Sequence, residues 1–299
     1  LVALVVRIFA NPAASLFRKK LTLPVGGRPD GADIRDGNDP SAVNLMTYLV
    51  LSAACVPWVP GVDWGAMPRE FWWNCLLVGL FGGVGNAYVV KALQCGELSV
   101  LGPVNSWKSV VGMAVGVVVL GEIPGLWGLV GVALIIGGSY FVLVRTGERF
   151  SWRLLGRRDI RYRMWAMILT AVEAVFIKQV IVLSSTGVSF IIWCWFGGVM
   201  AAAVAMVSGR GRRRREMFSF RAGDLPLYLG VAACVGLSQY STNVVFAGMD
   251  VGYALALFQL SAVVSVFLGW KVFSEGGIAR KLIGSAIMIA GSVVIILLN

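Results

Sequence analysis

The stretch Glu97–Leu143, ELSVLGPVNSWKSVVGMAVGVVVLGEIPGLWGLVGVALIIGGSYFVL, returns 153 residues later without a gap, as Asp250–Ile296, DVGYALALFQLSAVVSVFLGWKVFSEGGIARKLIGSAIMIAGSVVII. Eleven of the 47 paired positions are identical, among them Gly116/Gly269, Glu122/Glu275, Gly131/Gly284, Gly138/Gly291 and Ser139/Ser292. Apolar composition alone produces some matches. Acids paired at both ends of one helix, Glu97 with Asp250 and Glu122 with Glu275, are harder to obtain by chance. More weakly, Phe17 and Lys19 fall on Phe176 and Lys178 at an offset of 159. The chain therefore reads as two copies of one unit, residues 1–149 and 150–299.

Each copy belongs in a membrane. Of the 299 residues, 58% are hydrophobic and 14% charged, and the mean hydropathy is +0.81. A soluble domain carries about 45–50% apolar and about 25% charged residues, and one water-soluble core could not hide this much apolar surface. Ten apolar runs, roughly 1–17, 41–60, 71–92, 98–120, 124–144, 164–184, 188–207, 225–247, 251–273 and 280–298, are each near the ~20 residues of a helical span. Open sheet edges do not exist in lipid, so the runs are read as helices. The expected fold is an all-α integral membrane protein of ten transmembrane helices, five in each repeat. No cleavable signal pattern is expected at the start.

Charge orients the spans. The connections after spans one, five, seven and nine hold 21 of the 26 Lys and Arg, and those after even-numbered spans hold only Arg69. Positive residues stay on the cytoplasmic side. The odd-numbered loops of a protein of the cytoplasmic membrane are then inside, and both termini outside. The net charge of +11 thus reflects topology, not nucleic-acid binding. The chain has no His, and its five Cys lie in apolar runs without a CxxC pair, reading as small core residues. Neither a metal nor a cofactor is expected. The acids Asp30, Asp33, Asp36 and Asp39 lack EF-hand spacing and read as a turn-rich loop. The arginines of 145–163 are interleaved with Phe150, Trp152, Leu154 and Leu155, as an interfacial helix or a solvated linker would be.

Five spans per unit, an odd number, force the second copy to insert upside down. Inverted repeats of this kind build many secondary transporters, with the substrate site near the midplane between them. The run Lys91-Ala-Leu-Gln-Cys-Gly-Glu-Leu-Ser-Val-Leu-Gly-Pro-Val-Asn, Gly121-Glu122 and Gly131-Val-Ala-Leu-Ile-Ile-Gly-Gly resembles the EamA-type transporters of the drug/metabolite transporter superfamily. Met249-Asp-Val-Gly-Tyr-Ala-Leu, Glu275 and Gly284-Ser-Ala-Ile-Met-Ile-Ala-Gly are similar in the second half. The resemblance implies a ten-helix bundle around a central cavity that moves small metabolites by alternating access. It also implies cytoplasmic termini, opposite to the charge bias, and both orientations stay open here.

A charge at the centre of a span costs about 2.5–3.5 kcal/mol on insertion scales, so it should face a cavity or a partner. Lys108 sits some ten residues into the fourth span within Pro103-Val-Asn-Ser-Trp-Lys-Ser, beside Asn105 and Trp107; Pro103 should kink that helix. Glu173, the one acid deep in a span, is a candidate carrier of a coupling proton or a neutralising partner for Lys108 or Lys91. Lys178, five residues on, lies about 140° around the helix from it. Asn11-Pro12 is expected to interrupt the first span, with Arg7 on nearly the same face as Asn11. Asn86 and Lys91, Gln239 and Asn243, and Gln259 complete the candidate substrate-binding set, each with interhelical hydrogen bonding as its competing role. Glu97, Asp250, Glu122 and Glu275 are read as helix caps, and Gly79/Gly83 and Gly112/Gly116 as helix-packing pairs.

The expected function is a secondary active transporter of a small metabolite. Lys108, Lys91 and Arg7 against Glu173 favour an anionic or zwitterionic solute, whereas Trp107, Trp193, Trp195 and Tyr240 would suit a bulky or cationic one. No GxxxxGK[ST] motif is present, so gradients would drive it. A lipid-active membrane enzyme is disfavoured, because no acid cluster, His or nucleophile–base pair is in sight. A non-transporting membrane subunit is the third class. The expected partners are the small-molecule substrate and membrane lipid, without nucleic acid, and a homodimer is left open.

Overall fold

The computed structural model describes residues 2–23, 38–96, 107–120, 125–143, 158–208, 222–274 and 277–298. Among them every regular element is helical. Helix α1 is Val2–Thr22, α2 Pro40–Cys55, α3 Arg69–Cys95, α4 Trp107–Leu120 and α5 Leu126–Leu143. The second half gives α6 Arg158–Leu183, α7 Thr186–Ser208, α8 Leu225–Gly248, α9 Val251–Leu257, α10 Ser261–Phe273 and α11 Ile278–Leu298. A tight turn, Phe258–Leu260, joins α9 to α10.

Local chemistry sets these boundaries. Asp39 caps α2, accepting the backbone N–H groups of Ser41 and Ala42, and Pro40 occupies the first turn, where no N–H is needed. Pro57 and Pro60 then tighten the chain into a 3₁₀ turn, Val56–Gly61. Helix α10 closes on Ser274 with a left-handed φ of 52°. Asn38 donates to Asp224 at 2.9 Å, tying the start of α2 to the start of α8.

Five segments are long and apolar enough to cross a membrane: Pro40–Gly61, Arg69–Cys95, Arg158–Leu183, Thr186–Val207 and Leu225–Gly248. Shorter apolar helices occupy Trp107–Val119, Leu126–Ile135 and Phe258–Phe273. The protein is a multi-pass membrane protein.

Three expectations change. Asn11-Pro12 does not interrupt the first span, because α1 runs unbroken with Pro12 buried inside it. A proline removes one helical donor, and packing on both sides of the turn holds the rest. The first span also extends past residue 17 to Thr22, which carries Arg18 and Lys19 into the helix, both buried. Likewise α6 begins at Arg158, so Arg163 is buried in a helix and is not part of a loop. The cationic bias of the odd connections is correspondingly smaller than the count of 21 suggests. Residues 145–157, Asp30 to Asp36, Glu97, Pro103, Asn105, Glu122 and Glu275 lie outside the described residues.

Missing side chains bring the helices together. A Cβ on Gly79 would stand 2.7 Å from Phe196 Cβ, and one on Gly83 2.6 Å from Met200 Cβ, so α3 packs on α7 through its glycines. The other face of α3 does the same with α6, where Gly85 meets Thr170 and Gly82 meets Glu173. Gly112 likewise makes room for Leu255. The repeat-matched glycines meet each other across α5 and α11. A Cβ on Gly138 would lie 2.7 Å from the Gly284 carbonyl, and one on Gly291 2.6 Å from the Gly131 carbonyl.

Those contacts also give directions. Gly131 lies by Gly291 and Gly138 by Gly284, so α5 and α11 run antiparallel. Tyr48 lies against Gly197 while Ser52 donates to the Cys194 carbonyl, so α2 and α7 run antiparallel too. The pairs α3 with α6 and α1 with α8 are the remaining large helix–helix contacts, with α7 also packed along α3.

Close approach makes a sharp prediction. Gly79→Ala must push Phe196 and its backbone, and should destabilise by about 1–3 kcal/mol. Gly61, with open space around its Cβ position, should accept alanine without loss. Thermal unfolding in detergent checks both, and equal Tm values for the two variants would contradict the packing.

Candidate functional site

Glu173 occupies the inner face of α6 and is buried. Its Oε1 accepts the indole N–H of Trp193 on α7 at 2.6 Å. The carboxylate fits between the helices because Gly82 on α3 has no side chain there. Lys108 stands half-buried in the first turn of α4, a helix that packs on α6. Lys91 stands elsewhere, over the Tyr88 ring at 5.7 Å, lining a 340 Å³ groove between α3 and α7 with Val84, Ala87 and Met200.

From Trp193 a polar chain crosses the bundle. Its ring lies 4.8 Å from that of Tyr48 on α2. The Tyr48 hydroxyl accepts the Asn86 amide at 3.0 Å. The same amide nitrogen also donates to the Gly82 carbonyl, which points the Asn86 oxygen outward, toward α1. There it accepts Arg18 Nη1 at 3.4 Å. Five helices thus contribute to one network: α1, α2, α3, α6 and α7.

The same interior holds more positive charge than negative. Arg7 donates from Nε to Thr242 Oγ1 on α8 at 2.7 Å, with its guanidinium 4.8 Å from the centre of the Phe258 ring. Arg18 and Arg163 are buried and Arg7 and Lys108 half-buried, alongside two buried acids, Glu173 and, one turn before Arg163 on α6, Asp159.

The other sequence candidates are placed as follows. Trp107 and Asn11 are half-buried, on α4 and α1. Asn243 donates to the Gln239 carbonyl at 3.2 Å, and its amide oxygen accepts the Phe190 N–H on α7 at 3.2 Å, an interhelical hydrogen bond. Gln259 donates to the Leu255 carbonyl at 2.7 Å, within its own turn. Asp250 stands just before α9, where a cap would sit, but its carboxylate takes Lys178 Nζ at 3.1 Å, and the same ammonium reaches the Met249 carbonyl. Cys55, Cys75 and Cys194 are buried as expected, whereas Cys95 is exposed. A 660 Å³ cavity opens beyond Tyr240 and Phe190, between the α2 end and the α6–α7 connection, floored by Val188 and Ile191. Among the described residues no group of His, Cys, Asp or Glu could hold a metal ion.

Arg18, Arg163, Tyr48 and Thr242 were not singled out from sequence. A signal existed for Arg18. Arg7, Asn11 and Arg18 are spaced by four and seven residues, so they share a face of one helix, but only if the helix is known to continue past residue 17.

Comparisons agree with this architecture. Residues 34–144 match the model of the EamA-like transporter family. A solved crystal structure superposes with a TM-score of 0.64 at 16% sequence identity, covering 98% of this chain and 97% of its own. No curated protein matches the chain. The first half of the chain therefore resembles a family of membrane transporters, and the fold over nearly its whole length is that of a known structure.

The Trp193–Glu173 bond makes a prediction of its own. Trp193→Phe leaves a buried carboxylate short of a donor and should cost about 1–3 kcal/mol. In the Glu173→Gln background the same change should cost much less. A double-mutant cycle on thermal unfolding measures the coupling, and additivity of the two changes would contradict the bond.

Proposed function

We propose that the protein is a secondary transporter that moves a small metabolite across the cytoplasmic membrane by alternating access, driven by a gradient. The observation that carries this reading is the interior set Arg7, Arg18, Lys108, Arg163 and Glu173. Apolar residues would hold such a bundle together at lower cost, so charges gathered inside it favour a solute path. The match to a transporter family over residues 34–144 points the same way.

The reading includes ten spans in two inverted repeats, residues 1–149 and 150–299, with α9 and α10 counted as one broken span. Exchanging the halves turns the pairing of α1 with α8 into that of α6 with α3. It also maps the pairs α2 with α7 and α5 with α11 onto themselves, and both of these pairs run antiparallel. Equivalent helices pointing in opposite directions are what inversion requires. The broken span α9–α10 puts its turn beside Arg7, the kind of discontinuity that lines transporter sites.

In this reading Lys108, Trp107, Asn105, Asn11 and Asn86 line the substrate path, and Glu173 carries the coupling proton. Gln239, Asn243, Gln259 and Lys91 are assigned to its margins. The Lys178–Asp250 pair ties α6 to the α8–α9 junction and closes one end until it opens. The connections after α1, α5, α7 and α10 face the cytoplasm. Membrane lipid surrounds the bundle, and no cofactor takes part.

Two experiments test this. Reconstituted in sealed liposomes, the protein should take up one class of solute from a panel of amino acids, sugars, nucleotides and organic ions. Lys108→Met should lower uptake at least tenfold. Glu173→Gln should keep exchange of labelled for unlabelled solute but lose accumulation driven by a proton gradient. Chemical turnover without movement across the bilayer would overturn the reading. Orientation is checked separately with a cysteine in the Arg212–Arg215 segment, which should react with an impermeant reagent only from the cytoplasmic side.

A further inference from the structure

Arg18 is the most enclosed of the cations in the polar network, 5% exposed. Only one of its nitrogens is used there: Nη1 donates to Asn86. Its Nε and Nη2 are buried with no hydrogen-bond partner among the described residues. These two nitrogens are not scattered. They lie along one edge of the planar guanidinium, the edge whose parallel N–H groups grip both oxygens of a carboxylate or phosphate.

The surroundings hold that edge in place without satisfying it. Asn86 is fixed by Tyr48 and by the Gly82 carbonyl, so it braces the far side of the guanidinium. Glu173 already accepts from Trp193. Arg163, also buried, brings a second guanidinium into the same interior. An unmet buried donor is destabilising, more so when it is charged, and an oxyanion supplies the missing partner. Arg7 repeats the pattern eleven residues earlier on the same face of α1, where its Nη1 is also buried without a partner among the described residues.

We propose that Arg18 is the anchor for an oxyanion group, carboxylate or phosphate, of the transported solute, held side-on by Nε and Nη2. This rests on the transporter reading and names the substrate class of its site. Neutral sugars and organic cations are then not substrates.

The test uses the purified full-length protein in neutral detergent, with thermal unfolding measured against succinate, inorganic phosphate, glucose and choline. Succinate or phosphate should raise the Tm by about 3 °C or more at saturating concentration, and whichever of the two acts identifies the group. Arg18→Lys keeps the charge but loses the planar fork, so the anion should bind at least tenfold more weakly. Arg18→Gln should abolish the shift. The wild-type panel stands even where a variant does not fold.

Stabilisation by glucose or choline but by neither anion overturns the proposal, as does anion binding by Arg18→Lys equal to wild type. A protein unmoved by all four probes overturns it as well. Uptake of any solute into sealed liposomes then decides separately whether the transporter reading survives.

Discussion

A carboxylate inside a bundle of apolar helices must find its hydrogen bonds there, and Glu173 finds one in the Trp193 indole at 2.6 Å. Much of the interior follows from seating that group. Gly82 has to be glycine for α3 to pass over the carboxylate. Trp193 has to turn inward, which sets its ring against Tyr48. The Tyr48 hydroxyl then orders Asn86, and Asn86 braces Arg18. A single acid, placed once, fixes the facing side chains of five helices.

The backbone contacts that allow this are made by glycines. Gly79 and Gly83 admit α7 to one side of α3, and Gly82 and Gly85 admit α6 to the other. Between helices in lipid there is little hydrophobic drive, so close van der Waals contact and interhelical bonds hold the bundle. The glycines that pack α5 on α11, Gly131, Gly138, Gly284 and Gly291, are the ones that the internal repeat matches. The duplicated sequence thus serves the contact between its own two copies.

Sequence reading recovered the apolar helices, the buried position of Glu173, and the packing role of Gly79 and Gly83. These signals are local: an apolar run with a charge or a small residue inside it stands out. It lost the ends of α1 and α6. Arg18, Lys19 and Arg163 follow or precede apolar runs, and hydropathy cannot distinguish a guanidinium solvated in a loop from one enclosed by neighbouring helices. It also took Asn11-Pro12 for a break, because the penalty of a proline is local while the packing that offsets it is not. The contacts of Gln259 and Asp250 were not legible for the same reason. Their partners, the Leu255 carbonyl and Lys178, depend on a turn and on a distant helix.

Alternating access, as proposed above, requires that solute reach a positively charged interior from either side of the membrane in turn. Asn11, half-buried between Arg7 and Arg18 on one face of α1, is the place to test it. In a chain with its native cysteines replaced by serine, Asn11→Cys should react with impermeant thiol reagents added to either side. A negatively charged reagent should react faster than a positively charged one of the same size, and substrate should slow both. A cysteine that stays unreactive from both sides, or that reacts faster with the positive reagent, would contradict the account.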